Sequence, residues 1–383
     1  MNVLIVASRY PWPPFSGDRL RTTIWIDALA EKAEVTVIVP PGEVESARPH
    51  GVFVHARRAP WKLGPSIVKA VKRKIPLHML MAATCDWARA VRHAERERGP
   101  FDAAVVILSR LDPWLPRITA GVVVLDAIDS LAHSMEERAR AATSVATRAF
   151  WRREAEKMSA FEREVGARYD RVLVVNSGES SSFGRSVDVV PIGVPIRPTD
   201  FDSARSYDFA FWGRLAYFAN RDAAMHLMTE IWPRIRARIP SAKLVIAGAD
   251  APRALRTFDG RDGITVESPA ADIARLARQT RVALFPMRFG TGQLTKVLEA
   301  AEGGCAIVAS TLAMRGLDPL RAGAIVQDDD ALFADAAVDL CRDHDRAVRL
   351  GKRARAEVEN HFSRTQMMKR LVTMLRNDGR GRA

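Results

Sequence analysis

The sequence predicts an α/β protein with two doubly wound parallel sheets, and three observations support this fold class. The 383 residues are about twice the length of a typical domain of about 100–200 residues. Short, entirely apolar runs alternate with longer segments of helical periodicity, which is typical of parallel strands covered by helices. A segment with three prolines and little periodicity, 189–206, separates the two halves and predicts a domain boundary.

The first half contains the predicted elements of one such sheet. After an apolar run at 3–7, side chains recur at helical spacing from Leu20 onward, and Ser16 or Asp18 can cap this helix. Further strands are predicted at 35–39, 103–108, 122–125 and 172–175, and a long charged helix at about 136–168.

The second half repeats the alternation and ends on a helix. Strands are predicted at 209–212, 243–247, 264–266, 282–285 and 306–309, and helices at 221–239, 270–279 and 293–302. Ser363, followed three residues later by Gln366, is a capping-box pattern that predicts a terminal helix to about residue 375. We therefore predict two Rossmann-like domains, 1–195 and 196–360, followed by a C-terminal helix within 361–383.

Composition excludes several classes of protein. Hydrophobic residues make up 48% and charged residues 27% of the chain, which is close to the average for globular proteins and excludes a disordered or collagen-like chain. No run approaches the ~18 consecutive apolar residues that cross a bilayer. The three cysteines are far apart and odd in number, so we expect reduced thiols in a cytoplasmic protein.

The chain is strongly basic, and the excess is concentrated. The formal net charge is +13, and residues 48–98 hold 12 Lys or Arg against three acids. Within 57–81 one helical face is apolar, formed by Ile67, Val68, Val71 and Ile75, while Lys69, Lys72 and Arg73 lie opposite. Two interpretations stay open for 57–81: a solvated surface helix, and a segment that lies on an anionic membrane surface. No nucleic-acid module accompanies the charge, so nucleic-acid binding is not expected.

The most informative segment is 285–299, which follows a predicted strand and enters a helix. Its glycines, Gly290 and Gly292, allow a close approach of the backbone to a ligand. The next N–H groups open a helix toward an anion, and they belong to Gln293, Leu294 and Thr295. Lys296 can reach a diphosphate, and Glu299, on the same face, can accept hydrogen bonds from a ribose. The alternative is an ordinary strand-to-helix turn with an exposed Lys–Glu pair.

A second loop adds another cation. Gly213 and Arg214 follow the strand at 209–212, and an arginine at this position can form paired hydrogen bonds with phosphate oxygens. Arg214 and Lys296 together can neutralise a leaving diphosphate without a metal. The alternative for Arg214 is a surface ion pair.

These segments resemble a known family. Residues 207–317 resemble the donor-binding domain of family 4 (group 1) glycosyltransferases, which have the GT-B fold of two facing Rossmann-like domains. The resemblance is carried by 211–222, 244–248, 285–299 and 300–309. Residues 3–18 are similar to the opening of the same enzymes, and 361–363 precede a helix that in this fold often crosses back onto the first domain.

The resemblance implies an enzyme that transfers a hexose from a nucleotide-diphosphate sugar to a saccharide or lipid-linked acceptor. It implies retention of configuration, no metal or other cofactor, and surface polysaccharide or glycolipid assembly at the inner face of the cytoplasmic membrane. The residues that match the donor site are Ser16, Gly17, Gly213, Arg214, Gly292, Gln293, Leu294, Thr295, Lys296 and Glu299. The alternatives are transfer to a soluble small molecule, a nucleotide-sugar epimerase and a non-catalytic paralogue. Thr291, where many members carry a glutamate, keeps the last of these open.

Two sets of aspartates remain to be interpreted, one after the strand at 122–125 and one at 328–330. Asp129 follows the strand at 122–125 and is a candidate base or polar contact for the acceptor, with His133 as a second candidate. The alternative for Asp126 and Asp129 is capping of the next helix. The three aspartates at 328–330 precede an amphipathic pattern, which favours a helix start over a metal site.

Overall fold

Two parallel sheets organise the chain, as the alternating pattern predicts. The computed structural model describes residues 1–14, 16–41, 51–201 and 203–376. One unit combines Met1–Pro191 with the chain from Met367 onward, and the other is Ile192–Gln366. Each unit is built around a hydrophobic core of its own.

Within the described residues, the sheet of the first unit has seven parallel strands in the order β3-β2-β1-β4-β5-β6-β7. Their bounds are β1 Asn2–Ala7, β2 Glu34–Val39, β3 Val52–His55, β4 Phe101–Ile107, β5 Ala120–Ile128, β6 Arg171–Val174 and β7 Asp188–Val189. The central strands β1 and β4 are almost entirely buried because apolar side chains on both faces of a parallel sheet pack under helices. The edge strands β3 and β7 are more exposed, and the sequence pattern did not predict them.

Of the five helices that the structure describes in the N-terminal part of the first unit, three are capped by the side chain of a serine or an aspartate. Their bounds are α1 Gly17–Leu29, α2 Leu63–Lys72, α3 Trp87–Arg98, α4 Leu131–Ala141 and α5 Val145–Gly166. The prediction of one long helix at 136–168 is wrong, because the chain breaks at 142–144. There Ser144 accepts a hydrogen bond from the N–H of Thr147 at 3.1 Å and starts a second helix.

The described residues of the second unit form a six-stranded parallel sheet in the order β10-β9-β8-β11-β12-β13. Its strands are β8 Tyr207–Trp212, β9 Leu244–Ala247, β10 Ile264–Glu267, β11 Thr280–Phe285, β12 Ala306–Ala309 and β13 Ala324–Val326. Its helices are α6 Phe218–His226, α7 Trp232–Arg238, α8 Arg253–Arg256, α9 Ile273–Gln279, α10 Thr295–Glu302, α11 Asp330–Arg342 and α12 His344–His361. The predicted helix at 221–239 is present as α6 and α7, joined by a π-helical turn at Leu227–Ile231.

The terminal helix α13 spans Arg364–Met374, and its outer part packs on the first unit. Arg370 donates to the carbonyl of Val189 at 2.7 Å. Arg171 on β6 lies 3.8 Å from the sulfur of Met374. These contacts join the end of the chain to the β6–β7 edge of the first sheet.

The strand register places the predicted site loops of the second unit side by side. Ala210 of β8 pairs with Ala283 of β11, so these parallel strands end at the same edge of the sheet. The loop that starts at Gly213 and the loop that leads to α10 therefore leave from neighbouring strands. Ligands of such sheets bind at this edge, where helices present their N-termini.

Candidate active site

Gly213 lies where β8 ends and allows two polar side chains to approach the backbone. Its φ is +152°, in the region that favours glycine. A Cβ at this position would lie 2.8 Å from Nδ2 of Asn220 and 3.1 Å from Nζ of Lys296. Any larger residue would displace the groups that form the floor of the site.

Lys296, on the first turn of α10, is a buried cation. Its Nζ donates to Oδ1 of Asn220, lies 3.9 Å from the sulfur of Met287 and lies 4.9 Å from the centre of the Phe211 ring. Burial lowers the pKa of Lys296 to about 7, and the charge of Glu299 offsets this only in part. Within the described part of the chain, the groups that Nζ contacts are uncharged, so no anionic side chain is in contact with the protonated form of Lys296.

Glu299 faces the same edge one turn further along α10. Nε1 of Trp212, the last residue of β8, donates to Oε2 of Glu299 at 2.9 Å. Burial raises the pKa of Glu299, while this hydrogen bond and the charge of Lys296 act in the opposite direction. Trp212 therefore fixes the orientation of the carboxylate, which can accept hydrogen bonds from a diol.

The loop before α10 is shaped as the glycine pattern predicts, with a later helix start. Helix α10 begins at Thr295, two residues after its predicted start at residue 293. Leu294 is the N-cap residue, and no side chain of the described residues caps the helix. Gly292 has a φ of +70°. Oε1 of Gln293 accepts from the N–H of Ile192 at 2.7 Å, whereas Nε2 of Gln293 is buried and has no hydrogen-bond partner among the described residues. An uncapped helix start with an unpaired amide nearby is suited to anionic oxygens.

The guanidinium of Arg214 lies in the surface ion pair that was its alternative interpretation. Its Nε donates to Oδ2 of Asp250 at 2.9 Å, and both side chains are more than half exposed. The backbone of Arg214 does border the site, because its carbonyl accepts from Nδ2 of Asn220 at 3.0 Å. An exposed pair of this kind contributes little to stability, so Arg214 is free to exchange Asp250 for a phosphate.

In the first unit, Ser16 and Gly17 start α1 after the end of β1. Ser16 is the N-cap residue, but its Oγ donates to Oδ1 of Asp18 at 2.6 Å instead of capping a backbone N–H. Among the described residues outside its immediate chain neighbours, none has an atom within 4 Å of the position that a Cβ on Gly17 would occupy.

The N-cap residue of α4 is Ser130, not Asp126 or Asp129. Ser130 caps α4, accepting from the N–H of His133 at 3.3 Å. Asp126 is fully buried and accepts from Nε of Arg21 and Nε1 of Trp25, both at 2.6 Å. Asp129 is only partly buried at the end of β5, which leaves it as the candidate for contact with an acceptor.

His133 pairs with a buried acid. Its Nδ1 lies 2.7 Å from Oε2 of Glu179, and this hydrogen bond raises the pKa of His133. The same Glu179 oxygen accepts from the N–H of Ser130 at 3.1 Å. Glu162, whose pKa burial raises to about 8, accepts from Oγ of Ser130 at 2.6 Å. These acids fix the start of α4 and orient the His133 ring.

The three aspartates at 328–330 each serve the local structure. Asp328 accepts from the N–H of Thr311 at 2.8 Å, Asp329 caps α11, and Asp330 lies 2.8 Å from Nε2 of His226. The interpretation as a helix start is confirmed. Across the described ranges, no group of three or more His, Cys, Asp or Glu residues is placed to hold a metal ion.

The second unit matches a known family over most of its length. The family model of Glycosyl transferases group 1 matches residues 206–343. The second unit carries a group 1 glycosyltransferase domain. This confirms the resemblance that 211–222 and 285–299 carry. A comparison with curated protein sequences gave no match.

The whole chain, group 1 domain included, shares its fold with solved structures of low sequence identity. Sucrose-phosphate synthase from Thermosynechococcus elongatus is 15% identical, with a TM-score of 0.72 over 98% of each chain. HepE from Anabaena, in complex with UDP and glucose, is 13% identical, with a TM-score of 0.66 over 98% of this chain and 99% of its own. WaaG, a glycosyltransferase involved in lipopolysaccharide biosynthesis, is 13% identical, with a TM-score of 0.65 over 98% of this chain and 100% of its own. The GT-B fold is thus confirmed.

The sequence analysis did not predict a role in the site for two residues of the group 1 domain, Asn220 and Trp212. Asn220 holds Lys296 through Oδ1 and the Arg214 carbonyl through Nδ2, and Trp212 holds Glu299. Both lie in the segment that carries the family resemblance, 211–222, but their types alone do not distinguish a core residue from a site residue. Only the spatial pairing of β8 with α10 reveals their role.

In the part of the chain that the structure describes, no helix is both long and apolar enough to span a membrane.

Proposed function

We propose that this chain transfers a hexosyl group from a nucleotide-diphosphate sugar to a saccharide or lipid-linked acceptor, with retention and without a metal. The single observation that carries the proposal is Lys296, a buried cation with uncharged contacts beside the uncapped start of α10. The family match of residues 206–343 and the complex of HepE with UDP and glucose support the same donor class.

The charge of Lys296 explains how the donor can be activated. As the glycosidic bond to the diphosphate breaks, negative charge develops on the leaving oxygen, and a cation in a site shielded from water stabilises it strongly. The α10 N–H groups add a second positive end, and Arg214 supplies a third when it leaves Asp250. Three such groups from the protein neutralise a diphosphate without a metal ion.

Glu299 suits the nucleoside end of the donor. Its carboxylate is held by Trp212 at 2.9 Å one turn from Lys296, so a diphosphate on Lys296 brings the ribose hydroxyls toward it.

On the acceptor side, Asp129 at the end of β5 is the proposed contact for the attacking hydroxyl. In a retaining reaction the leaving phosphate can itself accept that proton, so Asp129 orients the hydroxyl.

The proposal is tested by product analysis. The protein is incubated with UDP-, GDP-, dTDP- and ADP-sugars, alone and with saccharide or lipid-linked acceptors, and the products are followed by proton NMR. If the anomeric linkage is axial in the donor and is again axial in the product, the transfer proceeds with retention of configuration. Conversion of the donor sugar without an acceptor indicates an epimerase, and binding of nucleotides without turnover indicates a non-catalytic paralogue.

We expect the affinity for UDP to fall as pH rises above about 7. The diphosphate prefers the protonated form of Lys296, and the folded-state pKa of Lys296 is about 7. The protonated fraction of the free protein then falls about tenfold per pH unit above that value. UDP itself keeps its charge between pH 7.5 and 9. Titration calorimetry at pH 7.5, 8 and 9 measures the effect, and Lys296→Met should remove it. If the wild-type affinity for UDP does not change across this pH range, the assignment of Lys296 to the diphosphate site is wrong.

We also propose that 57–81 lies on the anionic inner face of the cytoplasmic membrane, which places a lipid-linked acceptor near the first unit. In the structure, the apolar side chains of α2 face outward: Val68 is 54% and Val71 68% exposed, and Trp61 before it is 71% exposed. The helix packs inward through Ser66 and Ala70 instead. Outward apolar groups among Lys residues are typical of interfacial helices.

Two of the predicted helix-face residues lie elsewhere. Ile75 is buried and therefore does not belong to the exposed apolar face. Lys69 donates to the carbonyl of Pro113 and lies 5.3 Å from the Trp114 ring, and burial lowers its pKa. Lys62 is paired with Asp86 at 2.6 Å, so the charges that α2 and its C-terminal end offer to anionic lipid are those of Lys72, Arg73 and Lys74, which are exposed.

A double substitution, Val68→Ser with Val71→Ser, should abolish most binding to vesicles that contain anionic lipid. Both substitutions remove exposed apolar surface that inserts into the interface, so folding should be unaffected. Co-sedimentation at low salt measures binding, and 0.5 M salt should weaken it in the wild type because charge attraction is screened. Leu332→Ser, at a residue that is 52% exposed in the second unit, is the matched control. Equal binding of both variants contradicts the proposal.

A further inference from the structure

The loop between β11 and α10, residues 286–294, contacts α6 through two successive side chains. Nε of Arg288 donates to Oδ2 of Asp222 at 3.0 Å, and Nη2 donates to Oδ1 of the same carboxylate at 2.7 Å. The ring centre of the next residue, Phe289, lies 6.3 Å from that of Phe218. Asp222 and Phe218 are four residues apart on α6, so they lie on one face of this helix. The β11–α10 loop is therefore held against a single helix face by an ion pair and a ring contact.

The backbone that follows these two contacts has little stiffness of its own. Gly290 and Gly292 have φ values of +142° and +70°, and glycine loses more conformational freedom on folding than any other residue. The conformation of this stretch thus depends on the contacts on either side of it. After the glycines, the chain is held by Gln293, which accepts from the N–H of Ile192. Before them, it is held by the two contacts with α6.

The pair of Asp222 and Arg288 fixes a direction as well as a distance. Two parallel N–H···O bonds between a guanidinium and a carboxylate restrain the orientation of both groups, which a single ion contact does not. The side chain of Asp222 is 24% exposed and that of Arg288 50%. On the same face of α6, one turn after Asp222, Nε2 of His226 lies 2.8 Å from Oδ1 of Asp330. These contacts join the β11–α10 loop, α6 and the start of α11.

The surroundings of Arg288 favour a role in holding the loop over a role in binding phosphate. Its hydrogen bond with Asp222 and the charge of that carboxylate raise the pKa of Arg288, against the effect of burial. The charges of Asp330 and Glu230 act in the same direction. Three acidic groups thus act on this cation, and they would oppose the approach of a diphosphate. The contacts of Lys296, in contrast, are uncharged.

We propose that Asp222 and Arg288 are positioning residues, whose paired hydrogen bonds hold the β11–α10 loop in the conformation that binds a nucleotide diphosphate. This assignment rests on the proposed function. The pair acts through the backbone of the two glycines, which sets the direction of the N–H groups ahead of α10. Lys296 is held separately by Asn220. The pair therefore affects how tightly the donor binds and leaves the stabilisation of the leaving diphosphate largely unchanged.

The test compares three variants with the wild type by titration calorimetry, using whichever of UDP, GDP, dTDP and ADP the wild type binds most tightly. Asp222→Asn removes the charge and one acceptor oxygen, and Arg288→Lys keeps the charge but cannot form the paired hydrogen bonds. Exchanging the two residues, with Asp222→Arg and Arg288→Asp in one chain, restores an ion pair in the opposite direction. Asp335→Asn is the matched control, because it removes the partner of Arg238 in another exposed pair of this unit. The melting temperature shows that each variant is folded.

Each single variant should weaken nucleotide binding about fivefold, which corresponds to about 1 kcal/mol, the upper range for an exposed ion pair. The exchanged variant should recover most of this affinity, and the control should bind as the wild type does. In steady-state kinetics the change should appear in KM for the nucleotide sugar, with kcat almost unchanged. A purely structural loss would not be recovered by the exchange and would not be confined to KM.

Three results would overturn the proposal. The single variants could bind the nucleotide as tightly as the wild type does, or the exchanged variant could be no better than they are. In the third result, Asp222→Asn strengthens binding while Arg288→Lys weakens it, which would show that Arg288 binds the diphosphate itself.

Hydrogen exchange of the peptide 286–294, measured without nucleotide, separates failure of this inference from failure of the proposed function. Exchange should be faster in both single variants than in the wild type and the control, because the loop has lost one of its anchors. Unchanged exchange contradicts the positioning role alone. A wild type that binds none of the four nucleotides contradicts the proposed function, whatever the exchange of the loop.

Discussion

Replacing Lys296 by methionine is expected to lower kcat/KM for glycosyl transfer by about 10²–10³-fold, the range found when one preorganised group that stabilises transition-state charge is removed. Methionine keeps the length and volume of the side chain among Phe211, Met287 and Asn220, while the charge is lost. Most of the effect should fall on kcat, because the negative charge that Lys296 stabilises grows as the bond to the diphosphate breaks.

The matched control is Lys243→Met, at an exposed lysine just before β9 in the same unit. Its kinetics should match those of the wild type. The melting temperature of Lys296→Met should be equal to or higher than that of the wild type, because burying an ammonium with uncharged partners is costly. If the activity of Lys296→Met is within threefold of that of the wild type, Lys296 does not stabilise the leaving diphosphate.

The fold was predictable wherever burial makes the sequence pattern strong. Runs such as that of β4 are apolar at nearly every position because both faces are covered, and they stand out in the sequence. The edge strands β3, β7 and β13 are short and partly exposed, so their composition resembles that of a loop. The break at 142–144 was missed because Ser144 caps a helix through its side chain, and a serine within a charged helical pattern carries no distinct signal.

The candidate site was predictable in part. The spacing of Gly292, Lys296 and Glu299 follows from helix geometry and could be interpreted from sequence alone. The burial of Lys296 could not, because it depends on Asn220 from another helix, 76 residues away along the chain. The choice of Asp250 as the partner of Arg214 likewise depends on how β8 and β9 are paired.

The two carboxylates after the strand run at 122–125 illustrate the same limit. Asp126 and Asp129 are equivalent in the sequence, since both follow a buried strand run. In the structure Asp126 still lies within β5 and is fully buried against Arg21, while Asp129 reaches the partly exposed edge. The difference arises from the side chains of α1 that cover β5. These contacts place Asp126 in the core, while the role of Asp129 as an acceptor contact stays a proposal.

Replacing Arg21 by alanine is expected to destabilise the protein by about 3–5 kcal/mol, the usual cost of removing one partner of a buried ion pair. Nε of Arg21 lies 2.6 Å from Oδ2 of Asp126, and both side chains are fully buried. Nη1 also donates to the carbonyl of Pro191 at 3.1 Å. Without Arg21, the donor that the described residues still provide to the Asp126 carboxylate is the indole of Trp25. Urea denaturation followed by circular dichroism measures the loss.

The double variant Arg21→Met with Asp126→Leu should recover most of that stability, because it removes both charges and fills the space with apolar groups. Arg238→Ala is the control, since it breaks an exposed pair with Asp335 and should change stability by less than about 1 kcal/mol. If Arg21→Ala were as stable as the wild type, the pair with Arg21 would not hold Asp126 in the core, and the exclusion of Asp126 from the site would fail. If the double variant is stable and retains glycosyl transfer, the buried pair serves the first unit's core, and Asp129 alone of the two carboxylates remains in the chemistry.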